Sequence, residues 1–246
     1  MMGMARRLLL VLMSGWLIST AFPVGQGQKG QVSFPEPVRI SGDQAALLRR
    51  AAEQLDQSLK TLKTSLLPLE SQGSFTRARD ALITYTGKGA DNVRATQTEF
   101  AKLTRNQQAA EASEVYFSDI RDHYAEAWKG LKELEKPDRN SYPAVRDKTI
   151  WALEHNSKAY AVAASKGTLT FDLAVRSDPQ DGSVSFKRKG DDDYSPHPDP
   201  TNTTIKNLVY AVWYVKVQRD GYQDQEKQHD ATREERHELD FKLKPK

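Results

Sequence analysis

The sequence contains no cysteine among its 246 residues. This absence excludes disulfide bonds, cysteine nucleophiles, iron–sulfur clusters and zinc sites built from thiolates. It also excludes the acylated cysteine that anchors a bacterial lipoprotein. The fold must therefore be stabilised by the burial of side chains, even where the surroundings are oxidising.

Motifs of the common enzyme classes are missing as well. The sequence has neither the H-E-x-x-H motif of zinc proteases nor the G-x-S-x-G elbow of serine hydrolases. Gly87-Lys88-Gly89 lacks the Gly-Lys-Ser/Thr ending of a phosphate-binding loop, so it predicts a break between helices. We therefore expect no catalytic residues and no cofactor, and predict that the chain is not an enzyme.

Runs of basic residues are also missing. Lysine and arginine together number 36 against 33 acidic residues, which gives a formal net charge of +3. Two of the arginines, Arg6 and Arg7, belong to a predicted leader, and without them the charges almost balance. Because nucleic-acid binding needs a clustered basic face, we expect no nucleic-acid partner.

The longest apolar run lies at the N-terminus. Arg6 and Arg7 precede an uncharged, mostly apolar stretch over residues 8–22, which Pro23 ends. This layout is typical of a secretory signal peptide, and the run is shorter than the ~20 apolar residues that cross a bilayer. Residues 1–25 therefore predict export of a bacterial-type protein to the periplasm or the medium. The alternative is an uncleaved anchor, which would be the chain's only contact with a membrane.

The region after the leader changes from a linker to a helical pattern. Residues 26–42 are rich in glycine, proline and glutamine, which predicts an extended linker. Pro68 is expected to end or kink the first helix. That helix is predicted from leucines repeated every seven residues, with apolar residues between them: Leu48, Ala52, Leu55, Leu59, Leu62, Leu66 and Leu69.

Further amphipathic stripes predict four or five helices in all between residues 43 and 166. Gly87 and Gly89 suggest an interruption, with Asp91 as a new cap, and Gly167 is a natural end for the last helix. Short connections favour an antiparallel up-and-down bundle. The alternative is a long coiled coil that pairs with another chain. Either arrangement would suit self-association, as in a homo-oligomer, or the docking of a partner.

The hydrophobic period changes to two after Gly167, which predicts a small antiparallel β-sandwich over residues 168–246. The whole chain is thus predicted to be an α+β protein in two parts. Five short strands are expected, over residues 169–175, from Val184 to Phe186, and over 203–208, 210–217 and 239–243.

Residues 169–243 resemble the PEGA domain, a small β-sandwich module of bacterial envelope and surface proteins. The resemblance rests on Ser177-Asp178-Pro179 with Gly182 after it, on Thr203-Thr204 before an apolar strand, and on Gly221-Tyr222 after a valine-rich strand. It departs where the motif that names the family would fall, since the chain reads Pro-Gln-Asp-Gly there, and where a long acidic loop replaces a tight hairpin. The resemblance implies a non-catalytic interaction or spacer module.

Acidic and histidine residues in the loops of the β region are weak candidates for metal ligands. Carboxylates suit calcium, and carboxylates with histidines suit zinc or copper. Their spacing matches no standard site, so we interpret them as solvated loops and expect no bound metal. The helical histidines, His123 and His155, are expected at surface or boundary positions. The loop candidates are Asp191, Asp193, His197, Asp199 and His229.

Aromatic residues near the end of the chain are weak candidates for a sugar- or peptide-binding platform. They are Trp213, Tyr214 and Tyr222. Because neighbouring residues of a strand face opposite ways, Trp213 and Tyr214 are expected to lie on opposite faces, one in the core and one exposed.

These patterns together predict a non-enzymatic exported protein of the cell envelope. Its helical bundle would self-associate or dock a protein or envelope component, and its β-sandwich would be an interaction or spacer module. The alternative is a periplasmic protein that binds a metal or small ligand through the Asp- and His-rich loops of the β region.

Overall fold

The computed structural model describes residues 33–233 and 236–246. The predicted signal peptide and the first part of the predicted linker lie outside the described residues. Within them, no helix has both the length and the apolar character needed to cross a membrane.

Four helices form the first half of the described chain: α1 (Gly42–Ser71), α2 (Phe75–Leu103), α3 (Gln107–Glu133) and α4 (Tyr142–Lys166). They pack as an antiparallel bundle, which confirms that prediction. The apolar stripe of α1 is buried against α2 and α4. The stripe therefore packs within this chain, and the predicted alternative of a coiled coil with another chain is not what the structure has.

The ends of two helices follow from their capping residues. The side chain of Ser41 accepts a hydrogen bond from the Gln44 amide, and the Gln44 side chain accepts one from the Ser41 amide, which forms a capping box at the start of α1. Gly167 ends α4 in the left-handed conformation, with φ of 67°. A glycine adopts this conformation without a steric cost, as the sequence predicted.

The predicted end of the first helix at Pro68 is wrong, and so is the predicted break at Gly87 and Gly89. Pro68 lies inside the last turn of α1, which continues to Ser71. The proline removes only one helical hydrogen bond there, at an exposed position where water can satisfy the carbonyl. Gly87 and Gly89 lie within a continuous α2, and a Cβ at Gly89 would collide with the ring of Tyr124. Gly89 thus permits close packing of α2 on α3 instead of breaking the helix.

Within the described residues, seven strands follow the bundle, in two sheets. The three-stranded sheet has the order β4-β1-β7, and the four-stranded sheet has the order β3-β2-β5-β6. The strands are β1 (Thr170–Asp178), β2 (Ser183–Arg188), β3 (Ser195–Pro196), β4 (Thr203–Val209), β5 (Val212–Gln218), β6 (Gln225–Asp230) and β7 (Glu238–Lys242).

The expectation of fully antiparallel strands is wrong, because β1 and β7 are parallel. The first and last strands of the region are separated by five others, so the chain has the long connection that a parallel pair requires. The strands β3 and β6 were not predicted. The first is two residues long, and the second has a mostly polar sequence, Gln-Glu-Lys-Gln-His-Asp, which pairs with β5 along its whole length.

The helices and the sheets share one hydrophobic core. The segment just before α1 contributes Phe34 and Val38 to it, both 4% exposed. The Phe34 amide donates to the carbonyl of Asn207 in β4, and the Ile40 amide donates to the carbonyl of Gly167. This segment, predicted as part of a linker, therefore lies across the junction of the bundle and the sheets. The polar residues of that junction form the candidate site.

Candidate functional site

The candidate site begins with one face of α3 and one face of α4. Asp119 and His123 are four residues apart on α3, which places their side chains on the same face, one turn apart. His155 lies on the facing side of α4. We call these three residues the buried Asp–His cluster. Their exposed fractions are 1%, 3% and 0%, so the cluster lies in the interior of the protein.

The potential ligand atoms of the cluster converge on one small volume. Oδ2 of Asp119 lies 3.2 Å from Nε2 of His155 and 3.4 Å from Nε2 of His123. One nitrogen or oxygen atom from each of the three side chains lies within 4.8 Å of the other two. Among the described residues, no other group of three or more histidine or acidic side chains comes together in this way.

The end of β6 completes the surroundings of His155. Its second nitrogen, Nδ1, lies 3.3 Å from Oδ2 of Asp230 and 3.1 Å from the hydroxyl of Thr232. From β5, the amide of Val212 points at Oδ1 of Asp119 over 3.5 Å. The cluster is thus where α3, α4 and the four-stranded sheet meet.

The charges within the cluster are strongly coupled. Burial alone would lower the pKa of His155, but its hydrogen bonds to Asp119 and Asp230 outweigh burial and raise the pKa to about 9. Burial would raise the pKa of Asp119, but His123 and His155 beside it hold that pKa well below its usual range. In the metal-free protein at neutral pH, His155 is therefore an imidazolium that donates to two carboxylates.

The hydrogen bonds that join His155 to Asp119 and Asp230 do not include His123. It is 3% exposed, and neither of its ring nitrogens makes a hydrogen bond. Its Nε2 lies 3.4 Å from Oδ2 of Asp119, which is within the distance of an ion pair but is not a hydrogen bond. Native proteins rarely bury polar atoms without partners, because each one costs roughly 1–3 kcal/mol. A role for these nitrogens is therefore expected.

Trp151 forms the outer wall of the cluster. Its ring stacks on His155 at a centroid distance of 5.0 Å and meets the His123 ring edge-on at 4.7 Å. Lys189 and Arg233 lie over the same indole, 5.3 Å and 5.2 Å from its centroid. Trp151 is only partly buried, whereas the two histidines that it contacts are buried.

The structure places the predicted loop candidates apart from one another. Asp191 accepts hydrogen bonds from Arg188, and Asp193 is exposed. His197 accepts a hydrogen bond from the amide of Asp199, two residues further on. His229 lies inside the β region, with Nε2 3.1 Å from Nδ1 of His237.

The predicted aromatic candidates also have defined positions. Trp213 has no exposed surface, and its indole N–H donates to the carbonyl of Val209 at 2.9 Å. Tyr214 is partly exposed on the other face of β5, which confirms that the two side chains point in opposite directions. Tyr222 is partly exposed beneath the guanidinium of Arg219.

The expectation that His123 and His155 are surface or boundary residues is wrong. Both are buried because the four-stranded sheet covers the face of α3 and α4 that carries them. One signal in the sequence pointed to the site: Asp119 and His123 have the four-residue spacing that places two side chains on the same face of a helix.

His237 is expected to make the stability of the folded protein depend on pH in the mildly acidic range. Burial, with help from His229 and Lys166, lowers the pKa of His237 from 6.5 to about 4. The unfolded chain takes up this proton below pH ~6.5 and the folded chain does not, so stability falls as pH drops from 6.5 towards 4. We expect His237→Gln to flatten this part of the curve of unfolding free energy against pH, measured with urea. Equal slopes for wild type and His237→Gln would contradict the assignment.

The chain matches no protein-family model, no curated protein and no solved structure. The interpretation of the site therefore rests on its own geometry.

Proposed function

We propose that this chain is an exported, non-enzymatic protein that binds one divalent transition-metal ion at the buried Asp–His cluster. The observation that carries the proposal is the buried pair of nitrogens on His123, which have no hydrogen bond and lie beside a second histidine and a carboxylate. A bound ion would take Nε2, the nitrogen that lies 3.4 Å from Asp119, as a ligand.

The chemistry of the three side chains selects the class of ion. Two imidazoles and one carboxylate are the ligands that zinc, cobalt, nickel and copper accept. Calcium and magnesium prefer six or more oxygen ligands, including water, which a set of three buried side chains with two nitrogens does not offer. Zinc(II) is therefore the first ion to test.

The distances between the ligand atoms also suit such an ion. Ligands about 2.0–2.1 Å from a tetrahedral zinc ion are about 3.3 Å from one another. Asp119 lies 3.2 Å from His155 and 3.4 Å from His123, so these two edges of the tetrahedron already have the required length. A water molecule would supply the fourth ligand.

The competing interpretation is a purely structural ion pair, in which the imidazolium of His155 lies between the carboxylates of Asp119 and Asp230. It accounts for the hydrogen bonds of these three residues. It leaves both ring nitrogens of His123 without a hydrogen bond, which is why we favour the metal site.

The remaining parts of the proposal come from the sequence. The predicted leader supports export, and the resemblance of the last third to the PEGA domain supports a β-sandwich that serves in the cell envelope. Buried residues of both sheets lie in the same core, as facing sheets of a sandwich require, for example Val175 and Val217. A docking or spacer role for the remaining surface stays a prediction.

The test is metal binding by the purified protein after treatment with a chelator. We expect one Zn²⁺ per chain by elemental analysis, and a visible spectrum typical of four-coordinate Co²⁺ when cobalt replaces zinc. His123→Phe keeps a ring against Trp151 but removes both nitrogens, so it should weaken Zn²⁺ binding at least about 100-fold in a chelator competition.

The matched control is His197→Phe, which removes a histidine of the β region and should bind Zn²⁺ as tightly as the wild type. If the wild type binds no metal, or if His123→Phe binds it equally well, the metal site is refuted and the structural ion pair remains. If instead His197→Phe loses the metal, the loops of the β region hold it.

A further inference from the structure

Both ring nitrogens of His155 have polar partners: Nε2 contacts Asp119, and Nδ1 contacts two residues of the β region. Nδ1 lies 3.3 Å from Oδ2 of Asp230 and 3.1 Å from the hydroxyl oxygen of Thr232. Asp230 is the last residue of β6 and Thr232 lies in the turn after it, and both are more than 70 positions after His155 in the chain. The ring orientation of a helical histidine is thus set by the β region.

Asp230 is itself fixed in place. Its Oδ1 accepts hydrogen bonds from the Thr232 amide at 3.0 Å and from the Thr232 hydroxyl at 2.7 Å. Nε of Arg233 lies 3.5 Å from Oδ2. With both oxygens engaged, the carboxylate cannot turn away from His155 without losing several contacts.

This arrangement has a specific meaning for metal chemistry. A histidine that binds an ion through Nε2 must keep its proton on Nδ1. A carboxylate that accepts this proton fixes the tautomer, orients the ring and makes Nε2 a stronger ligand. It also adds negative charge, so that Asp119 and Asp230 together match a divalent ion.

We infer that Asp230 is the positioning residue of the metal site, and that through it the end of β6 sets the affinity for the ion. The inference rests on the proposed function. Its physical consequence is a thermodynamic linkage between the ion and the packing of β6 on α4. If Asp230 raises the affinity for the ion by a given factor, then the bound ion raises the equilibrium constant for forming the Asp230–His155 contact by the same factor.

The variant that tests the inference is Asp230→Asn, which keeps the shape of the side chain and removes its charge. We expect it to bind one Zn²⁺ per chain with about 10- to 100-fold lower affinity, and to keep the four-coordinate spectrum with Co²⁺. The matched control is Asp224→Asn, which removes an exposed carboxylate just before β6 that pairs with Lys216, and it should bind Zn²⁺ like the wild type.

A second measurement needs no variant. The Thr232 amide donates to Asp230, so its hydrogen exchange reports the opening of this contact. In the wild type, saturating Zn²⁺ should slow the exchange of this amide about 10-fold or more, by linkage with the same factor. A purely structural Asp230 predicts no slowing beyond that of the amides that exchange only through global unfolding, which bound Zn²⁺ also slows. This comparison decides the matter if Asp230→Asn fails to fold.

The outcomes separate the inference from the proposed function. If the wild type binds Zn²⁺ and His123→Phe does not, but Asp230→Asn binds like the wild type, the positioning role is refuted and the metal site stands. An unchanged exchange rate of the Thr232 amide also refutes it. If the wild type binds no ion at all, both proposals fall.

Discussion

Replacing His155 with leucine is expected to destabilise the metal-free protein by about 3–5 kcal/mol, because it leaves two buried carboxylates without their cation. Asp119 is 1% exposed and Asp230 is 8% exposed, and each now accepts a hydrogen bond from the imidazolium between them. Urea denaturation at pH 7 in the presence of a chelator measures the effect.

The control is the same substitution at the neighbouring histidine. His123→Leu removes two buried nitrogens that make no hydrogen bonds, so in the metal-free protein it should leave stability unchanged or raise it. A similar loss for both variants would show that packing, and not the ion pair, gives His155 its importance. The two variants should behave alike only towards metal, which both should fail to bind.

Replacing Trp213 with alanine is expected to cost about 3–5 kcal/mol of unfolding free energy, because the indole has no exposed surface and its removal leaves a large cavity. The loss also leaves the Val209 carbonyl without its donor. The ring lies 6.0 Å from that of Phe186 across the pair β2 and β5, so the cavity would open in the centre of the four-stranded sheet.

Tyr214→Ala is the matched control for this prediction. Tyr214 follows Trp213 in the strand β5, but its side chain lies on the other, partly exposed face of that strand. Truncation of Tyr214 should therefore lower the free energy of unfolding by only about 1 kcal/mol. Chemical denaturation followed by far-ultraviolet circular dichroism measures both variants. Equal costs would contradict the assignment of the two faces of β5.

The helical bundle could be predicted because its signals are local. The heptad leucines of α1, the Ser41 cap and the terminal Gly167 each act within a few residues of the chain. The predicted break at Gly87 and Gly89 was wrong, because position 89 needs a glycine to make room for the ring of Tyr124 on another helix. No local pattern in the sequence reveals this contact.

The β region was predicted less completely because sheets depend on distant partners. Strands with alternating apolar residues, such as β1 and β5, were found from their sequences. The strand β6 has a polar sequence and is defined by its pairing with β5, and the parallel pair of β1 and β7 joins residues far apart in the chain. Neither feature has a signature in its own residues.

The candidate site was missed for a related reason. His123 and His155 have the surroundings of surface histidines in the sequence, and only the packing of the sheet on α3 and α4 removes them from water. Asp230 was not considered as their partner, since nothing in the sequence brings β6 to α4. The acidic and histidine residues of the β loops were predicted as candidates because they are neighbours in sequence. Among the described residues, they do not form a group of three potential metal ligands.

The parallel pairing of β1 with β7 has a consequence for how the protein is made. The strand that follows the bundle lies between β4 and the last strand of the chain, so its sheet is complete only when residues 238–242 have left the ribosome. Until then one edge of β1 has unpaired backbone groups, which invite pairing with other nascent chains. A chain that folds during synthesis would therefore pass through a stage in which finished helices carry an unfinished sheet.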